Sequence, residues 1–309
     1  MNTAAKLGVY ILGLAVVFGG ALGVGKATGQ AASPVAITTA SPGTNGHAAM
    51  TQRTTESHTE QAKSNTPGGL QVSENGYTLD PVTPIATGDP AEFRFTIIGP
   101  DGDPVTRYQV EHDKKLHFIV ASRDLTSFQH VHPEMSADGT WSVKLAVPKP
   151  GSYRAFADFA PEGGEKLTLG ADLQAAGDYK PEPLPEVSRT AKVGDYTVEL
   201  DGDLVTGQSS KVTLTVRKDG KPVTDLQPYL GAYGHLVALR AGDLAYLHVH
   251  PEESAAAGPE VTFYVEAPSR GDYRLFLDFQ HDDKVRTAAF TATAATADGH
   301  APSTTHGHG

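Results

Sequence analysis

The chain has no cysteine in 309 residues. That absence removes disulfide staples, thiolate nucleophiles, thiolate zinc and iron–sulfur sites, the sulfur ligand of blue-copper centres and lipidation through a thioether. Any metal held here has to be bound by nitrogen or oxygen. Methionine is nearly as scarce, with only Met50 and Met135 beyond Met1, so a thioether site for a soft ion is unsupported. Positive charge is thin, at 25 Lys and Arg against 36 Asp and Glu, for a formal net charge of -11. Without a cluster of cations to displace counterions from a phosphate backbone, nucleic acid is excluded as a partner. Serine-hydrolase elbows, phosphate-cradling glycine loops and a HExxH helix are absent as well, and no catalytic constellation is assigned.

Long hydrophobic runs are also missing after the first 30 residues. The run Leu7–Val24 (LGVYILGLAVVFGGALGV) has 18 uncharged residues between Lys6 and Lys26. It is long for a signal-peptide core and near the lower limit for a membrane span, so residues 1–29 are read as a signal anchor or a signal peptide. Either reading places the rest in the cell envelope, on the outer face of the cytoplasmic membrane, or secreted. Residues 30–70 are rich in Ala, Thr, Ser, Gly, Pro and Gln and read as a disordered linker, whose coil would span roughly 35 Å. Residues 295–309 read as a disordered tail containing His300, His306 and His308.

What lies between is a tandem duplication. TGDPAEFRFTI from Thr87 matches TGQSSKVTLTV from Thr206, DGDPVT from Asp101 matches DGKPVT from Asp219, and GSYRAFADF from Gly151 matches GDYRLFLDF from Gly271. Each unit alternates short β-branched and aromatic runs with Gly, Pro and Asp turns, and lacks any amphipathic helix. The fold expected is all-β, two tandem immunoglobulin-like β-sandwiches at 71–177 and 193–294, joined by a proline-rich spacer at 178–192 (KPEPLPE). Tyr153 and Tyr273, in matched Pro-x-x-Gly-x-Tyr phrases, read as tyrosine corners.

Chemistry concentrates in the histidines. His117, His130 and His132 in the first unit have the spacing of His235, His248 and His250 in the second. Setting Lys114–Pro133 against Ala232–Pro251 without gaps, five of twenty positions agree, and three of the five are histidines. A turn centred on Arg123-Asp124 would set His117 opposite His130, and one on Ala241-Gly242 would set His235 opposite His248. The two-residue period of a strand brings the His-x-His pair to one face. Three imidazole nitrogens could then converge on Cu(II) or Zn(II) in each repeat, with a water, a carboxylate or a partner protein as fourth ligand. Asp158 and Asp278 are candidates for orienting an imidazole. The bland alternative makes these histidines ordinary cross-strand neighbours. No partner is legible for His112 or His281.

With its LHF…FQHVHP and GHL…YLHVHP phrases, the chain resembles exported bacterial copper-handling modules of the CopC/YtkA-like kind, here as a membrane-tethered tandem similar to actinobacterial envelope proteins. The resemblance implies copper binding or delivery, with His117, His130, His132, His235, His248 and His250 as ligands and an envelope protein as partner; the scarcity of methionine favours Cu(II). Two other readings stand beside it: a structural or protein-binding module without catalysis, and a metalloenzyme, because FQHVH resembles the metal-binding strand of copper–zinc superoxide dismutase. The dismutase reading lacks a bridging histidine, a zinc loop and any cysteine.

Overall fold

The computed structural model describes residues 66–247, 249–252 and 256–297. They form two tandem immunoglobulin-like β-sandwiches, stacked as four sheets. In the first repeat the outer sheet runs β1 (Ser73–Glu74), β2 (Tyr77–Pro81), β3 (Ala91–Ile98), β7 (Trp141–Leu145), β6 (Glu134–Met135). Its inner sheet runs β5 (Phe128–Val131), β4 (Leu116–Ser122), β8 (Gly151–Phe159), β9 (Leu167–Ala175). In the second repeat β10 (Thr190–Val193), β11 (Tyr196–Asp201), β13 (Ser209–Lys218), β17 (Glu260–Glu266) and β16 (Val249–Pro251) form the outer sheet, with β14 (Lys221–Pro222) beside β13. The inner sheet there is β12 (Leu204–Val205), β19 (Lys284–Ala295), β18 (Gly271–His281) and β15 (His235–Arg240).

The burial of each strand follows from its layer. The outer strand β13 (SSKVTLTVRK) has one covered face, and its residues alternate between buried and accessible. All seven residues of β4 (LHFIVAS) are buried, because this strand is covered on both faces. Phe118 and Val120 point into the first repeat's own core, with Phe93, Phe95 and Trp141. Ile119 and Ala121 point the other way, into a third core shared with Val237, Leu239 and Phe276 of the second repeat. Across this seam Phe128 stacks on Phe276 at 4.0 Å between ring centroids. The two tyrosine corners are as the sequence suggests: Tyr153 donates to the Lys149 carbonyl and Tyr273 to the Ser269 carbonyl, each at 2.8 Å.

One boundary differs from expectation. Residues 66–70 are placed against both repeats instead of continuing the linker: Tyr246 N–H donates to the Gly68 carbonyl at 2.9 Å and Arg154 Nε to the Gly69 carbonyl at 2.7 Å. Gly69 permits this because its φ is +73° and a Cβ there would stand 2.5 Å from the Phe156 ring. The proline-rich spacer makes contacts of its own: Leu184 packs on the shared core and Glu182 N–H donates to Asp124 Oδ2 at 3.1 Å. Among the described residues no helix is long and apolar enough to cross a membrane; the Leu7–Val24 run lies outside them.

Because Phe276 is 3% exposed and stacked, Phe276→Ala removes the centre of the seam. It should cost about 3 kcal/mol of stability, measured by urea denaturation at pH 7.5. A loss under 1 kcal/mol would mean that the two sandwiches do not bury this face against each other in solution.

Candidate metal centre

The same strands that make the seam carry the histidines to its open end. On β4, Ala121, Ile119 and His117 share one face; on the segment through β5 so do Phe128, His130 and His132. Pairing runs Ile119 with His130 and Phe118 with Val131, so position 132, not 130, lies opposite His117. The turn is centred one residue later than expected, between Asp124 and Leu125. There Asp124 Oδ1 accepts from the Ser122 and Thr126 hydroxyls at 2.6 and 2.8 Å, and Leu125 adopts a φ of +58°. A shift of two residues preserves the face, and the three imidazoles still meet.

His117, His130 and His132 form the one group of potential metal ligands among the described residues. His117 Nδ1 lies 3.2 Å from His130 Nε2 and 3.2 Å from His132 Nε2. A tetrahedral ion with nitrogens at 2.0–2.1 Å sets its ligands about 3.3 Å apart, so the spacing fits one. The far side of each ring explains the tautomers. His117 Nε2 faces the Glu111 carbonyl at 3.3 Å, and His130 Nδ1 faces Asp278 Oδ2 at 2.8 Å. Both partners are acceptors, so both of those nitrogens carry the proton, leaving His117 Nδ1 and His130 Nε2 as lone pairs pointed at each other. His132 Nδ1 lies 3.4 Å from the Tyr229 hydroxyl. A single proton could bridge only one of the two 3.2 Å contacts; one cation among the three satisfies them together.

The electrostatics keep His117 and His132 neutral. Burial, reinforced by His130 and His132, pushes His117 down to about 2, and burial with His130 and Lys114 pushes His132 down to about 3. Burial lowers His235 too, against the opposing bond to the Tyr229 carbonyl.

Among the described residues the second repeat builds no matching trio. Val249–Pro251 leaves the inner sheet and pairs with β17, so His250 is exposed on the outer sheet opposite Tyr264. His248 lies outside the described residues. The cause is local: Leu247 stands where the first repeat has Gln129. Leu247 is buried in the second core, whereas Gln129 exchanges two bonds with the Ala146 backbone at 2.7 and 3.0 Å at the end of the inner sheet. His235 instead joins the first repeat's cluster, its ring 6.3 Å from those of His117 and His130. Asp278 orients an imidazole, but across the seam; Asp158 accepts from Thr168 and pairs with Lys166. His112, unassigned from sequence, lies 5.5 Å from His235 by ring centroids, and His281 bonds Tyr196 and Asp225.

The family called DUF8832, a domain of unknown function, matches residues 71–179 and again 191–296. The chain belongs to that family and carries its domain twice. No relative was found among curated proteins. Solved structures with a similar fold include the FdeC adhesin of Escherichia coli, at 14% identity and a TM-score of 0.25 over 72% of this chain and 65% of that one. Invasin, a bacterial integrin-binding protein, gives 12% identity and 0.21 over 70% and 39%, and domains 5-6 of the S-layer protein SbsC give 14% and 0.23 over 71% and 97%. The chain spans less than two thirds of the first two, and at these TM-scores no ligand or partner is carried across.

Depressed imidazoles make a signed prediction for metal-free protein. Unfolded histidines take up protons below their ordinary 6.5, whereas His117 and His132 in the fold stay neutral down to about 2 and 3. Stability is therefore complete above that ordinary value and lost as pH falls below it, with His117 alone contributing up to about 1.4 kcal/mol per pH unit. Urea midpoints should decline from pH 7.5 to 4.5, less steeply in His117→Asn. A midpoint that holds or rises on acidification contradicts the neutral cluster.

Proposed function

We propose that this chain is a non-catalytic, extracytoplasmic metal-binding protein that holds one divalent ion, Cu(II) in preference, through His117, His130 and His132, and buffers it or hands it on. The observation that carries the reading is the meeting of three imidazole nitrogens at tetrahedral spacing, with the outer nitrogens of the rings engaged by Glu111, Asp278 and Tyr229. Zn(II) fits the same donors. Cu(I) does not, because no thioether accompanies them: Met135 packs on the first core. The apolar run ahead of the domains supports a location at the outer face of the membrane or beyond it, where another envelope protein would receive the ion. The resemblance to exported copper-handling modules points the same way.

A second reading draws on the Phe128–Phe276 stack and the His130–Asp278 pair. In it the tandem is a structural or protein-binding module, and the imidazoles are polar members of the seam.

Equilibrium dialysis separates the two. In a chain with His300, His306 and His308 replaced by Ala, we expect one tightly held Cu(II) or Zn(II) per chain, and a loss of at least 100-fold in affinity for His132→Ala with unchanged circular dichroism. Binding that His132→Ala leaves intact would end the metal reading at this site and leave the seam reading.

A further inference from the structure

We infer that the second repeat completes this centre, His235 serving as the fourth ligand and Asp278 as the positioning residue for His130, so that the bound ion clamps the two sandwiches together. The inference rests on the metal reading above and adds the partner repeat to it.

The two inner-sheet histidines are held alike. In each repeat a tight turn with positive φ at both central residues, His112-Asp113 in one and Leu230-Gly231 in the other, offers the carbonyl six residues before the histidine. Glu111 O faces His117 Nε2 at 3.3 Å, and Tyr229 O faces His235 Nε2 at 2.7 Å. Both rings therefore carry the proton on Nε2 and keep Nδ1 as a lone pair. His235 shares the seam face of β15 with Val237 and Leu239, which pack in the shared core.

Spacing agrees. Ring centroids within the trio are 5.4, 5.0 and 4.9 Å apart. Two imidazoles on one tetrahedral ion sit with centroids about 5 Å apart, and His235, at 6.3 Å from two of the three, is about 1 Å outside that set. A cavity of ≈ 80 Å³ is lined by His117, His130 and His235, together with His112, Asp158 and Lys166. Competing donors are less suited: His112 is exposed, and the Asp158 carboxylate is engaged by Lys166 and Thr168.

Asp278 is placed for one task. Thr287 donates to its Oδ1 at 2.5 Å, Oδ2 accepts a hydrogen bond from His130 Nδ1 at 2.8 Å, and the His130 and Asp278 side chains are both 4% exposed. A carboxylate in this position fixes the ring's tautomer and raises its basicity as a ligand. Neither repeat owns the whole centre, so ion binding and the docking of the sandwiches must strengthen each other by the same factor.

The test uses the full chain with the three tail histidines replaced by Ala, loaded with Cu(II). Competition titration gives affinity, and nitrogen hyperfine structure in electron paramagnetic resonance counts ligands. His235→Ala should reduce four nitrogens to three and weaken binding at least tenfold. Asp278→Asn should keep four and weaken binding 10- to 100-fold, while Asp158→Asn, the matched position of the first repeat, should bind as the parent does. Cu(II) should raise the thermal midpoint less in the first two variants than in the parent. Unchanged affinity and ligand count in His235→Ala would overturn the ligand, and Asp278→Asn behaving like Asp158→Asn would overturn the positioning role, in both cases leaving the three-histidine reading intact. A parent chain that binds no ion would overturn both readings. Should His235→Ala misfold, the isosteric pair of Asn variants still decides the part played by the second repeat.

Discussion

Face-to-face burial of the two inner sheets is the constraint on which the rest of the molecule depends. It makes β4, β8 and β18 two-sided, which is why they are buried nearly throughout while β13 alternates. It also sets a gradient along the seam. Every contributing strand changes from apolar to polar in steps of two: Ala121, Ile119, His117; Phe128, His130, His132; Leu239, Val237, His235; Phe276, Asp278. The apolar end excludes water and fixes the distance between sheets, and the polar end inherits that distance. Imidazoles spaced at 3.2 Å are thus a by-product of where phenylalanines stack two residues away.

Much of this was legible. The duplication, the sandwich class, the tyrosine corners and the grouping of His117 with His130 and His132 follow from spacing and strand period alone. The register did not, because it turns on Leu125. A leucine at a φ of +58° is disfavoured, and no local signal announces it. It is tolerated because Leu125 is 1% exposed in the shared core, a tertiary reward that a sequence window does not contain. Leu244 in the second repeat does the same, at a φ of +60° and fully buried.

The pairing of histidines across repeats was hidden for a different reason. His-Val-His-Pro occurs in both copies, and the residue immediately before it differs, Gln129 against Leu247. That difference looks minor in an alignment. In the structure it decides whether the segment stays beside β4 or crosses to β17, since a leucine gains by entering a core and a glutamine gains by bonding an exposed backbone. Matched sequence therefore misled where it was most exact, and the tight turns that supply the Glu111 and Tyr229 carbonyls carry no obvious motif.

Duplication followed by asymmetric use explains why one centre suffices. Asp158 and Asp278 occupy the same position in their repeats, each receiving a threonine hydroxyl on Oδ1. Their second oxygens have diverged: Lys166 neutralises one, and His130 reaches across to the other. A buried carboxylate needs some positive or proton-donating partner, and the first repeat meets that need internally. The second repeat has Val285 at the position matching Lys166, two residues before the matched threonine, and the second oxygen of Asp278 is met by its neighbour's imidazole. The seam is thus held by a polar contact that neither repeat can make alone, and any ligand bound to that imidazole necessarily acts on the docking of both.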